Sequence, residues 1–302
     1  MATSTVKKVV PAGQVVGTAY GLSKQRRKLI GDLLAWTVLA IGSVAMMLPF
    51  VWMVATSLKS LPEVYVFPPQ FFPRQWLWSN YLEAWTLLPF HLFFRNSILV
   101  SLCVVIGQLF TCSLAGYSFG RLRYPGRDRI FFLYLATMMI PFAVVMIPLY
   151  VQMRWFKWVD TLWPLIIPAI FTPWGTFLLR QFMSTLPREL EDAARMDGAS
   201  FFRIYRTIIL PLTKPALATL GIFTFLSSWN DFLWPLIILS SLNTKTIPLG
   251  LTAFQSRMPV KTPWQLVMAA STFAIIPILI AFILGQKYYV QGIVTSGIKG
   301  GG

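Results

Sequence analysis

The sequence predicts an all-α integral membrane protein: six transmembrane helices on short connections, with a bent polar elbow between the fourth and the fifth. Three observations carry this. The 302 residues are 56% hydrophobic, with a mean hydropathy of +0.64 and only 12% charged, where a soluble domain has about a quarter of its residues charged. Uncharged runs at 33–58, 96–120, 130–153 and 262–286 each exceed the roughly 20 residues that cross a bilayer as a helix. Acidic residues cluster in one place, with Glu189, Glu191, Asp192 and Asp197 inside the stretch 186–211 between long apolar segments.

Residues 1–30 are polar and carry Lys24, Arg26, Arg27 and Lys28. They predict a disordered basic arm whose end touches anionic headgroups. This arm is too long and hydrophilic for the front of a cleavable signal peptide. Residues 31–286 form the transmembrane domain. The first span is 32–56, and 59–91, rich in Pro and Trp (Pro62, Pro68, Pro69, Pro73, Trp76, Trp78, Trp85), suits an outer loop with interfacial pieces. The second span is 96–119, followed by a tight basic loop at 120–129. The third, 130–151, is interrupted by Pro141 and Pro148. After a short outer loop, the fourth span at 162–182 holds Pro164, Pro168 and Pro173. Prolines free backbone carbonyls and kink helices, and a bilayer tolerates this only where neighbours or water satisfy those groups. The kinked helices are therefore expected to pack around a cavity. The fifth span is 212–239, an outer loop covers 240–261, the sixth span is 263–285, and 287–302 is a tail.

The elbow has its own punctuation. Pro187 suits the first turn of a helix, and the acids after it favour a helix N-terminus. Asp197-Gly198 is a turn dipeptide whose glycine can end a helix in the left-handed conformation. Ser200 can cap the next helix, and Pro211 marks a further change of course.

The net charge of +16 does not point to nucleic acid, because the basic residues lie in connections rather than along one face. With the N-terminus in the cytoplasm, 18 of the 26 basic residues fall on the inner side. With six crossings, that positive-inside bias predicts a multi-pass membrane protein with cytoplasmic termini and a cytoplasmic elbow. Chemistry is limited by what is missing. No GxxxxGK[ST] loop would cradle phosphates, His91 is the sole histidine, and no Cys, His or carboxylate group has metal-ligand spacing. Cys103 and Cys112 are placed for packing or lipid contact. No enzymatic activity, cofactor or metal is expected of this chain.

The elbow resembles the EAA loop of binding-protein-dependent ABC importer permeases. Asp192-Ala193-Ala194 stand in the EAA places, Gly198 in the glycine place, and Ile208, Leu210 and Pro211 close the pattern; Glu191 and Asp197–Ala199 fit its extended form. The acid before the alanines is Asp192 rather than Glu. SNYLEAW (79–85), SSWNDFLWPL (227–236) and the terminal YYVQGIVTSGIKG are similar to segments of carbohydrate importers of the MalG type. The resemblance implies the type I ABC importer permease architecture and transport of a sugar, such as an oligosaccharide, disaccharide or polyol. It implies that this subunit forms half of a pore with a MalF-like second permease. Two ATP-hydrolysing subunits that bind ATP and Mg, and an extracytoplasmic solute-binding protein, would complete the assembly. Glu191, Asp192, Ala193, Ala194, Asp197 and Gly198 would then couple to the ATPase subunits. Gln291, Gly292, Ser296 and Gly297 in the tail would touch the same subunits.

Asp231 stands apart. A carboxylate inside the fifth span costs about 2.5–3.5 kcal/mol to insert, so it should face a cavity or a partner. With Trp229 and Asn230 it offers stacking and hydrogen bonding to a sugar. The other reading is structural, with Asn230 and Asp231 satisfying kinked backbone near Pro235. A stand-alone ion-coupled transporter is the alternative function, with Asp231 as its chief carboxylate; a non-transporting scaffold would have no use for the elbow.

Overall fold

A computed structural model describes residues 19–256 and 261–297, without the side chains of 19–25, 27, 256 and 287–297. The described residues are helical with no strand among them. They divide into a first unit, Met1–Trp52, and a second, Met53–Gly302.

In the first unit the chain enters α1 (Ala19–Ser57). Residues 19–30, expected to be irregular, are therefore helical. Lys, Arg, Gln and Leu are good helix formers, and no proline interrupts them.

The second unit is organised around α2 (Phe90–Arg121). Three buried clusters follow one another along it. Phe90 and Phe93 pack with Trp229, Phe254 and Leu266; Val100 and Val104 with Leu165, Trp234 and Ile238; Cys112 and Tyr117 with Leu179, Ile204 and Leu220. Lipid tails give helices no hydrophobic reason to associate, so close approach and hydrogen bonds must do it. Gly116 and Gly120, one turn apart, provide that approach. A Cβ at Gly116 would sit 2.9 Å from Leu179 Cβ and 3.1 Å from the Arg180 nitrogen, both on α5 (Pro173–Ser184).

Three of the expected spans are broken near prolines, but Pro148, expected to interrupt the third, lies inside the continuous helix Phe142–Trp155. Residues 127–155 form α3 (Arg127–Ala136) and α4 (Phe142–Trp155), bent by 96°. Ile140, before Pro141, is extended (φ −82°, ψ 114°), as a residue before proline prefers. The fourth segment is in pieces, Trp163–Ile166, Pro168–Ile170 and α5. The fifth bends by 75° between Phe201–Leu212 and Lys214–Trp229, here α7, then restarts at Leu233–Ile238. By length and composition the described residues hold three membrane-crossing helices, or up to five if each bent pair is one span. The last helix, α8 (Trp264–Gly297), runs well past the expected end of the sixth span. Residues 298–302 of the tail, like 1–18 of the arm, lie outside the described residues.

A proline leaves the carbonyl four residues upstream without its usual donor, and at Pro168 and Pro173 a side chain from another helix supplies one. Pro168 has no N–H for the Pro164 carbonyl, and Trp234 Nε1 donates to that oxygen at 3.1 Å. Pro173 has none for Ala169, and Gln108 Nε2 donates there at 2.7 Å, while its own oxygen accepts from Thr224 Oγ1 at 2.6 Å. These bonds satisfy backbone groups that the irregular turns leave open.

SNYLEAW has a structural role as well. Asn80 is buried and donates to the carbonyls of Ser57 and Lys59, both at 2.8 Å, pinning the loop to the end of α1.

Candidate functional site

The elbow is helix α6 (Glu189–Met196), a corner, and the helix Phe201–Leu212. The corner is a Schellman motif. Gly198 N–H donates to the Arg195 carbonyl and Ala199 N–H to the Ala194 carbonyl, each at 2.9 Å, with Gly198 at φ +75°. Ala194 and Ala199, the pair flanking this cap, both pack on the Cys112–Tyr117 cluster. Ser200 accepts from the Arg203 N–H at 3.3 Å and caps the next helix. That helix widens to a π turn over Tyr205–Ile209, just before Pro211, whose ring would clash with a carbonyl in a regular turn.

What holds the elbow in place is Arg121, the last residue of α2. Its guanidinium binds the Glu191 carboxylate and donates to the carbonyls of Met183 (3.1 Å), Leu186 (2.8 Å) and Pro187 (3.2 Å). Both side chains are buried, at 1% and 5% exposure. Arg195 completes the brace, 3.9 Å from Glu191 and 3.9 Å from Asp192, with its guanidinium over the Phe201 ring. On the far side of the corner, Tyr205 hydrogen-bonds Ser113 at 2.7 Å and Tyr117 donates to the Phe201 carbonyl at 3.2 Å.

This geometry divides the expected coupling residues. Glu191 faces inward and is spent on Arg121, so it is not available beside Asp192 for an outside contact. Ala194 is half-buried. Asp192, Ala193, Asp197 and Gly198 are exposed, next to exposed Leu190, Met196, Phe201 and Phe202. Gln291, Gly292, Ser296 and Gly297 fall on the last turns of α8, and their side chains lie outside the described residues.

A second candidate is a cavity of about 500 Å³ lined by Gln108, Thr172, Thr224, Ser227, Asp231 and Thr246 among others. Of the three residues singled out around the fifth span, only Asp231 lines it. Asp231 lies just before the Leu233–Ile238 helix and faces the cavity. Asn230 donates to the Leu226 carbonyl at 2.8 Å and closes off α7. Trp229 departs from the expectation. It is 2% exposed, stacks on Phe225, meets Phe94 edge-on and donates to the Ala274 carbonyl, leaving no free face for a sugar.

A family model described as the binding-protein-dependent transport system inner membrane component matches residues 113–295, which include the elbow and Asp231. The chain belongs to this family. Among relatives of this permease, the arabinooligosaccharides transport system permease protein AraQ of Halalkalibacterium halodurans is 39% identical over 207 residues, 68% of this chain and 74% of the relative. The sn-glycerol-3-phosphate transport system permease protein UgpE of Pectobacterium atrosepticum is 34% identical over 272 residues, 88% of this chain and 96% of the relative. In fold the permease is similar to a chain in the crystal structure of a bacterial ABC transporter involved in the import of the acidic polysaccharide alginate. There the TM-score is 0.76 at 24% identity, over 87% of this chain and 98% of that one.

Sequence reasoning missed Arg121 and Gln108. Arg121 had a signal, being the first charge after a long apolar run. Gln108 had only its polarity within such a run, and nothing local says which carbonyl it meets.

Proposed function

We propose that this permease is half of the translocation channel of an ATP-driven, binding-protein-dependent importer for a carbohydrate, with the elbow as its coupling helix. The apolar runs give six crossings, and the positive-inside bias puts both termini and the elbow in the cytoplasm. The partners are a second permease resembling MalF, two subunits that bind ATP and Mg and hydrolyse the nucleotide, and an extracytoplasmic solute-binding protein. Asp192, Ala193, Asp197 and Gly198 present the surface that meets an ATPase subunit; Glu191 acts behind it. AraQ, named for arabinooligosaccharides, supports the sugar assignment. UgpE, named for glycerol-3-phosphate, extends it to small polyol derivatives.

The observation that carries this reading is the construction of the elbow. It is a short helix with an exposed face of small, acidic and apolar side chains, braced from behind by a buried ion pair. Exposed apolar residues at the polar end of a membrane protein mark an interaction surface. Their rigid backing lets force pass into α2 and α7 as a rigid-body movement. A stand-alone ion-coupled transporter has no use for such a brace.

The test is cysteine cross-linking in intact cells. Asp192→Cys should react with membrane-impermeant thiol reagents only from the inner side and should cross-link to an ATP-hydrolysing subunit in the native complex. Labelling from outside, or the absence of any ATPase adduct in a correctly inserted permease, would refute the coupling role.

A further inference from the structure

We propose that a cluster of arginines beside the elbow is a binding site for the phosphate of an anionic phospholipid. Arg123, Tyr124, Gly126, Arg127, Arg129 and Arg188, with Asp128, line a cavity of about 640 Å³ between the loop after α2 and the start of α6. The acid in it is already matched. Asp128 is 3.0 Å from Arg127 and 3.0 Å from Arg180, and Arg127 also donates to the Leu122 carbonyl. Arg123, Arg129 and Arg188 are exposed and make no ion pair or side-chain hydrogen bond among the described residues. Three unmatched guanidiniums around one open cavity are a receptor for an oxyanion, which Arg binds through its planar fork of donors.

The surroundings select the source of that oxyanion. The cavity opens at the beginning of α3, whose next turn exposes Ile130, Phe132 and Leu133, at 52%, 71% and 67%. Ile130 and Leu133 lie one above the other on the helix. Side chains of this kind need hydrocarbon, so the phosphate at hand carries acyl chains. Basic pockets at the ends of transmembrane helices suit anionic headgroups for the same reason. Arg188 adds a consequence. It immediately precedes α6, and its carbonyl accepts from the N–H groups of Glu191 and Asp192. A lipid held by Arg188 and Arg123 together would tie the first turn of the elbow to the end of α2 from outside, as Arg121 and Glu191 tie it from within.

The experiment uses the purified full chain in a neutral detergent, titrated with phosphatidylglycerol, phosphatidylcholine or inorganic phosphate and read by native mass spectrometry. Phosphatidylglycerol should be retained at least tenfold more tightly than phosphatidylcholine, and millimolar inorganic phosphate should not displace it. Each arginine near an anionic headgroup contributes about fivefold, so Arg123→Gln, Arg129→Gln and Arg188→Gln together should weaken retention on the order of a hundredfold. The pair Arg203→Gln and Arg206→Gln, on the neighbouring helix, should leave retention within twofold. Circular dichroism checks that every variant stays helical, and single-arginine variants, each losing about fivefold, serve if the triple does not fold. Equal retention of the two lipids, or a triple variant that binds as the parent does, overturns the proposal. Displacement by inorganic phosphate makes the site one for a soluble anion and overturns the lipid source. An acidic peptide that binds where phosphatidylglycerol does not would make it a protein-docking surface and would overturn the lipid source as well. The titration needs neither nucleotide nor partner subunit, so its failure leaves the coupling role untouched.

Discussion

Replacing Arg121 by Met should unlatch the elbow while leaving the rest of the permease folded. The guanidinium meets one buried carboxylate and three carbonyls on the chain leading into α6. Removing one partner of a buried ion pair leaves the other charge uncompensated and costs about 3–5 kcal/mol. Arg195 cannot take over, since it is already 3.9 Å from Glu191 and partly exposed. The loss falls on a local unit, whose opening is measured by amide exchange. Gly198 and Ala199, whose N–H groups close the corner, should exchange on the order of 10²–10⁴-fold faster, because each 1.4 kcal/mol is a factor of ten. Glu191→Gln keeps shape and the three carbonyl bonds but loses the charge, so its cost should be smaller, about 1.5–3 kcal/mol. Combining Arg121→Met with Glu191→Leu removes both charges. The double variant should be less damaged than the sum of the singles by about 0.5–3 kcal/mol, the range for residues in direct contact. Amide protection within threefold of the parent in Arg121→Met, or strictly additive losses in the cycle, would refute the argument that this pair holds the elbow.

Three further outcomes follow from single contacts. Gly198→Val should weaken coupling by strain alone, because a Cβ there meets nothing within 4 Å while φ is +75°. The left-handed conformation costs a branched residue at least about 1–2 kcal/mol, so ATPase stimulation by the solute-binding protein should fall, whereas Gly198→Asn, which tolerates that region, should keep most of it. Gln108→Leu leaves the Ala169 carbonyl and the Thr224 hydroxyl without their partner. Thermal unfolding in detergent should show a loss of about 1–3 kcal/mol, and an unchanged midpoint would mean that water already serves that carbonyl. The third concerns Asp160 in the short loop after α4. Burial pushes its carboxyl up, but the hydroxyl and N–H of Ser241, the Thr244 hydroxyl and the Ser240 N–H outweigh that and hold it at about 2. A lowered folded value means that these contacts stabilise the fold above the unfolded value near 3.9, and that this stabilisation is lost as pH falls through about 2. Fluorescence of the neighbouring Trp158 should therefore hold at pH 4 and change only toward pH 2, with the change absent in Asp160→Asn. A midpoint near pH 4 would show that these hydrogen bonds do not stabilise the carboxylate.

Much of this protein was legible before any coordinates. Helical membrane-crossing segments follow from uncharged runs, because a backbone in hydrocarbon must satisfy itself. The corner of the elbow was legible, since a left-handed turn needs something like Gly198 and a helix start needs something like Ser200, whereas Pro187 falls before the helix and Glu191 turns inward. The turn and the helix start are local requirements, met by neighbours in sequence. The cavity was legible in outline from the prolines, because each one frees a carbonyl that some neighbour must meet. Only the tertiary structure decided which groups meet which. Arg121 and Glu191 are 70 positions apart, Gln108 and Ala169 are 61 apart, and Trp234 and Pro164 are 70 apart, so no short window along the chain contains any of these pairings. The same holds for Trp229, which local polarity offered to a sugar and packing turned into the core. Local conformation is set by short-range sterics and caps; the direction in which a buried polar side chain points is set by whichever distant carbonyl or carboxylate would otherwise be left without a partner.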